Sequence, residues 1–233
     1  IMAAIFYLLA IILFIKGLNK TSEERTKPEY FFIAGAVILF AIGFLCKLIV
    51  ISLPAIVFAY HYYFISKLNV KNWLEQQWKW ILTVGGLLAS VVAFKKIYGS
   101  GLLKTLIVDI TTWDYFRTQI GVIPFEYFRK MMFPFNLTID SGFQVIHDWS
   151  SFTAIGGVII LGTIFSVWIK LSEVNKQSKK YSPEAFGLIW ILITLSPASS
   201  FIPLLDIVVE HRTYLPLVGF SIFAATLLIR MKV

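Results

Sequence analysis

The chain has 233 residues, of which 58% are hydrophobic and 15% charged, with a mean hydropathy of +0.79. A soluble domain carries roughly 45–50% apolar and 25% charged residues, so a water-soluble fold could not hide this much apolar surface, and the informative unit is the bilayer-length segment. The formal net charge of +8 does not make a nucleic-acid binder, because the lysines and arginines sit in short connectors between apolar runs, where they fix orientation in a membrane. The single cysteine, Cys46, excludes an intramolecular disulfide and a multi-cysteine metal site.

Taken in chain order, the apolar runs predict an all-α integral membrane protein with seven spans. Residues 1–15 are apolar throughout and carry neither a basic n-region nor a small-residue cleavage site, unlike a signal peptide; they read as a span whose beginning lies upstream. Residues 30–65 are too long for one crossing at about 1.5 Å per residue. Gly43 and Lys47 interrupt them, so they divide into spans 30–45 and 48–65 around a turn at Cys46-Lys47. Trp73, Trp78 and Trp80 mark an interfacial belt before a fourth span at 80–94.

Residues 95–150 form the longest non-spanning region. Within it, Trp113, Phe116, Ile120, Ile123, Tyr127 and Met131 recur at intervals of three or four. Asp114, Arg117, Gln119, Glu126, Arg129 and Lys130 fall largely elsewhere, the pattern of an amphipathic helix over 113–133 lying in the membrane surface, which Pro124 is predicted to kink or break. A fifth span follows at 152–171, a basic loop at 172–182, a sixth span at 183–205 with Pro197 and Pro203 distorting its end, and a seventh at 214–229. The whole chain reads as a single multi-span membrane domain without a soluble domain or internal repeat.

Placing the connectors alternately puts thirteen lysines and arginines on one side and eight on the other, the eight spread over a much longer sequence. By the positive-inside rule the first side is cytoplasmic. Lys47, the 113–133 helix and the loop from Asp206 to Arg212 then share the outer or luminal face. Lys47 reads either as a snorkelling interfacial lysine or as a cation for a lipid phosphate. Asp206, Glu210, His211 and Arg212 form the densest charged cluster beside a span. Either Glu210 makes a structural ion pair with Arg212 or Lys47, or Arg212 offers a planar, permanently charged fork to a phosphate or pyrophosphate. His61 lies in the run Tyr60-His61-Tyr62-Tyr63 and reads as a belt residue. His147 beside Asp148 has no second histidine at ligand spacing. Asn136-Leu137-Thr138 fits a glycosylation pattern, and Asp140 reads first as a loop cap.

Three stretches resemble a known family. Ser199-Ser200-Phe201-Ile202-Pro203, Glu210-His211-Arg212-Thr213-Tyr214-Leu215-Pro216 and Gly219-Phe220 look like the end of the membrane domain of bacterial tetratricopeptide-repeat membrane proteins. Those are similar to the transmembrane and tetratricopeptide repeat-containing O-mannosyltransferases. The aromatic, basic stretch from Tyr115 to Asp140, with Pro134 and Leu137, and Lys47 before Ser52-Leu53-Pro54 resemble two further parts of that family. The Glu-His-Arg-x-Tyr-Leu-Pro string is the most specific of these likenesses.

The resemblance implies a membrane domain of the GT-C class of glycosyltransferases, transferring a sugar from a polyprenyl-phosphate donor to a protein or glycan acceptor on the outer or luminal face, in a bacterial inner membrane rather than the endoplasmic reticulum. It implies a donor-phosphate set of Lys47, Arg117, Glu210, His211, Arg212 and Tyr214, with Glu210 orienting Arg212. Gln119, Asp140 and Asp206 are candidates for an acceptor groove. Leu48 stands where relatives carry a glutamate, and neither the family's acidic catalytic loop nor its repeats can be placed, so the catalytic residue is unassigned and the chain is expected to be an internal piece of a longer protein. No metal ligands are assigned, and the sequence leaves a divalent metal open. The expected partners are membrane lipids, the lipid-linked sugar, and a protein acceptor or other membrane subunits; nucleic acid is not among them. The competing reading is a non-catalytic scaffold or accessory subunit of a larger membrane complex. A transporter is disfavoured because the spans lack paired intramembrane carboxylates.

Overall fold

A computed structural model of the chain describes residues 2–18, 27–66, 69, 71, 74–75, 110–135, 142–177, 181–199, 203 and 207–231. Among them all regular structure is helical, as composition predicts. The expected span at 80–94, the Asn136-Leu137-Thr138 pattern, Asp140 and Asp206 lie outside the described residues. The main helices are α1 (Met2–Leu18), α2 (Lys27–Cys46), α3 (Leu53–Tyr60), α4 (Thr112–Val122), α5 (Arg129–Met132), α6 (Phe152–Gln177), α7 (Pro183–Leu195) and α8 (Tyr214–Met231). They fall into two compact units: Ile1–Leu68 with Lys179–Pro197 and Tyr214–Val233, and Asn69–Ser178 with Ala198–Thr213.

In the first unit α1 packs along α2. The buried face of α1 carries Ala3, Tyr7, Ala10 and Ile11, a spacing of three and four. From α2, Gly35 and Gly43 face it so closely that an added Cβ would lie 3.2 Å from Leu13 and 3.2 Å from Phe6. Small residues at a helix contact are how helices associate where lipid removes the hydrophobic drive. The predicted span 48–65 is one helical run of three pitches: a 3-10 turn at Leu48–Ser52, then α3, then a π turn at His61–Ile65. The Ser52 hydroxyl donates to Ile49 O and lies 3.0 Å from Tyr7 Oη, which ties the start of α3 to α1. His61 is buried, with Ser66 Oγ 3.0 Å from its Nδ1, rather than displayed in a belt.

Helices α7 and α8 make the tightest contact of this unit. A Cβ on Gly187 or on Gly219 would lie 2.6 Å from the other glycine's carbonyl oxygen. The Trp190 indole lies against Gly219 and donates to Leu215 O at 2.7 Å. Near the opposite end of α8, Arg230 Nη2 meets buried Glu184 at 2.8 Å. The sixth span is shorter than expected: α7 stops at Leu195 and residues 196–198 form a turn. Ser196 still has helical backbone angles (φ −54°, ψ −37°), and Pro197 after it brings no N–H to continue the ladder.

In the second unit, 112–132 is continuous helix, close to the predicted 113–133. Thr111 caps it, its hydroxyl accepting from Asp114 N at 3.2 Å. Pro124 does not break it. The helix widens into a π turn over Ile123–Phe128, which accommodates the residue without an N–H. The buried face shares Tyr127 and Met131 with the predicted stripe but otherwise differs from it: Tyr115, Thr118, Gln119, Val122 and Lys130 are buried, whereas Trp113 is 59% exposed. Helix α6 packs against this helix at Gly157, where a Cβ would come within 2.5 Å of Ile120 O. Helix α6 also runs to Gln177, so the first half of the expected 172–182 loop is helical.

Two segments are long and apolar enough to cross a membrane, Phe152–Val174 with 23 residues and Glu210–Met231 with 22. At about 1.5 Å per residue each spans more than a hydrocarbon core of about 30 Å. Only 11% of the most apolar window of the first is buried within the protein, unlike the core helix of a soluble fold. Its hydroxyls behave accordingly: Thr163 and Ser166 donate to Ile159 O and Gly162 O, and on α8 Ser221 and Thr226 do the same to Leu217 O and Ile222 O. Such back-bonding satisfies each hydroxyl within its own helix. Shorter apolar helices cover Met2–Gly17, Phe31–Cys46, Ile49–Ile65 and Pro183–Leu195.

Candidate functional site

The first unit holds a cavity of about 400 Å³ lined by aliphatic and aromatic side chains, Tyr60 and Trp190 among them, and, among the described residues, by no carboxylate, amine, guanidinium or imidazole. The larger charged cluster lies in the second unit, where the 112–132 helix meets residues 207–213.

Arg212 lies in a 3-10 turn, Glu210–Thr213, and is only 6% exposed. Its Nη1 donates to Tyr127 Oη at 3.4 Å and to Ile207 O at 3.2 Å. Gln119 donates its Nε2 to the same carbonyl at 3.0 Å; it is 1% exposed, and its Oε1 has no hydrogen-bond partner among the described residues. Glu210 pairs with Lys130, whose Nζ lies 3.0 Å from Glu210 Oε1 and 3.0 Å from Glu126 Oε2. Arg129 adds a longer contact of 3.6 Å to Glu126. Burial by itself would lower the Lys130 ammonium, but hydrogen bonds and charge from Glu210 and Glu126 outweigh it and hold the group above its ordinary value.

Local structure explains the convergence. Glu126 and Lys130 are four residues apart, and Tyr127 and Lys130 three, so they share one flank of the helix. The π turn sets the register with which that flank continues below Gln119. Tyr115 donates to Ala198 O at 2.7 Å, tying the same helix to the chain leading toward residue 207.

A second cluster gathers Arg117, Asp114 and His147. Arg117 donates to Asp114 Oδ1 at 2.8 Å and to His147 O, and its guanidinium stands 5.6 Å from the Trp149 ring centre. His147 Nδ1 lies 3.2 Å from Asp114 Oδ2, and Thr118 Oγ1 accepts from Ile146 N at 2.9 Å. The Thr111 hydroxyl, then His147 and Arg117, hold the Asp114 carboxyl below its usual range against the opposing effect of burial.

The remaining site residues are distributed otherwise. Lys47 and Tyr214 belong to the first unit. Lys47 is exposed, with extended backbone (φ −159°, ψ 136°) between α2 and the 3-10 turn. Tyr214 opens α8 and is exposed, as is His211. Residues 207–209 are not helical, and Asp206 lies outside the described residues. Glu210, expected to orient Arg212, is held by Lys130. Sequence reasoning missed Lys130, Glu126 and Tyr127 as site residues; the Glu126–Lys130 spacing beside a tyrosine was the available signal. Among the described residues no three His, Cys, Asp or Glu side chains are grouped to hold a metal ion. No protein-family model, curated protein or solved structure matches the chain.

Proposed function

We propose that the chain is the membrane-embedded part of a GT-C-like glycosyltransferase, a multi-pass protein of the bacterial inner membrane that uses a polyprenyl-phosphate sugar on the outer face. The observation that carries this reading is Arg212, a buried guanidinium inside the most specific string of the resemblance, Glu-His-Arg-x-Tyr-Leu-Pro. A permanently charged side chain near a span is expensive and marks function by default. Its planar fork suits phosphate oxygens better than a lysine would.

In the proposed reaction, cleavage of the sugar–phosphate bond builds negative charge on the departing lipid phosphate, and Arg212 stabilises it. Within the same unit Arg117 is a supporting cation and His211 borders the donor. A carboxylate acting as general base on the acceptor hydroxyl is required, and no residue of this chain is assigned to it. The two apolar segments of membrane-crossing length support the membrane setting; the seven-span topology is part of the proposal.

The test is binding of farnesyl phosphate against farnesol to the protein in nanodiscs, for wild type, Arg212→Met and Arg212→Lys. The reading expects the phosphate to bind at least about tenfold more tightly than the alcohol in wild type, a difference of about 1.4 kcal/mol. It expects Arg212→Met to abolish that preference and Arg212→Lys to retain part of it. Equal binding of the two lipids by wild type, or an unchanged preference in Arg212→Met, overturns it.

A further inference from the structure

We propose that Lys130 is a positioning residue that holds the Glu210 carboxylate away from the anion site of Arg212. This rests on the reading of Arg212 as a lipid-phosphate ligand and extends it to a residue outside the family string. Glu210 and Arg212 stand two residues apart in one short turn, so an uncompensated Glu210 would attract the guanidinium and repel an arriving phosphate. Lys130 prevents both: it is 6% exposed, and its ammonium bridges Glu210 and Glu126 at 3.0 Å each. Three residues earlier, Tyr127 accepts a hydrogen bond from Arg212, and Gln119 shares the Ile207 carbonyl with it. The helix therefore holds the 207–213 segment through its charge at Lys130 and through two polar contacts around Arg212.

A part-buried carboxylate from which the Lys130 ammonium is removed keeps its charge close to the ligand, and close interfacial charges couple strongly. Removing Lys130 alone exposes Arg212 to Glu210; removing both charges does not. A purely structural ion pair behaves differently, because its double variant lacks the bridge just as the single variant does.

The experiment measures farnesyl phosphate binding in nanodiscs for wild type, Lys130→Met, Glu210→Gln and Lys130→Met/Glu210→Gln, with Lys130→Arg added. The expected results are binding about tenfold weaker in Lys130→Met, recovery to within about threefold of wild type in the double variant, and tighter binding than wild type in Glu210→Gln. Lys130→Arg, which keeps the charge, retains most of the affinity. Failure of the double variant to recover, or unchanged binding in Lys130→Met, overturns the proposal. If Lys130→Met does not fold, Glu210→Gln decides: tighter binding supports the proposal, and weaker or unchanged binding sinks it. Loss of the phosphate preference in wild type itself would instead sink the assignment of Arg212.

Discussion

Alanine at position 219 would place its Cβ 2.6 Å from Gly187 O and 2.6 Å from Trp190 Cδ1, where ordinary contact begins at 3.4 Å. Helices α7 and α8 must then part by roughly 0.8 Å, or the indole must turn; overpacking of this kind costs about 1–3 kcal/mol. Either movement strains the Trp190 Nε1 to Leu215 O hydrogen bond of 2.7 Å, whose loss costs about 1 kcal/mol more. Against this, alanine in place of glycine in a helix returns about 1 kcal/mol. The net expectation is destabilisation by about 2 kcal/mol. Gly162 on α6 is the control, because nothing lies within 4 Å of its Cβ and Gly162→Ala should be neutral to stabilising by up to about 1 kcal/mol. Reversible unfolding in mixed detergent micelles, followed by tryptophan fluorescence, measures both. A Gly219→Ala variant as stable as Gly162→Ala would refute the close crossing.

The Glu184–Arg230 pair gives an ordered prediction: Arg230→Met leaves a buried carboxylate and should cost about 2 kcal/mol or more, whereas Glu184→Gln leaves none and should cost less; the reverse order in the same unfolding assay would count against the pairing. Asp114 titrates below its ordinary 3.8 in the folded protein, so its carboxylate contributes stability above that value and loses it as pH falls through the folded-state value. Hydrogen exchange across residues 142–150, corrected for intrinsic rates, should therefore accelerate at acid pH in wild type and show no such step in Asp114→Asn. For orientation, single cysteines in a Cys46→Ala background should label from outside the cell at position 117 and not at position 179; the opposite pattern would overturn the topology and the site together.

Local features were readable where composition dictates them. The helical class, the ends of α2 at Lys47 and the 112–132 helix follow from apolar run length, a charged interruption and spacing by three and four. The face of that helix was readable only in part, because helical spacing marks an apolar side but not which polar side chains find partners in distant segments. Of the apolar stripe, Tyr127 and Met131 are buried but Trp113, Phe116, Ile120 and Ile123 are not, and Tyr115, Gln119 and Lys130 go inward because distant segments supply partners for their polar ends. Pro124 misled for a related reason, since a π turn accommodates what an α-helix would not. For the candidate site, the string around Arg212 is the sequence feature that nominates it, whereas the pairing of Glu210 with Lys130 joins positions 80 residues apart in sequence and leaves no local trace.

The most direct test of the central claim is a structure of the full-length protein in nanodiscs with a polyprenyl phosphate bound. The account predicts a headgroup whose phosphate oxygens lie within hydrogen-bond distance of the Arg212 guanidinium, with Glu210 still on Lys130. A headgroup bound away from Arg212, with that guanidinium still donating to Tyr127 and the Ile207 carbonyl, would contradict it.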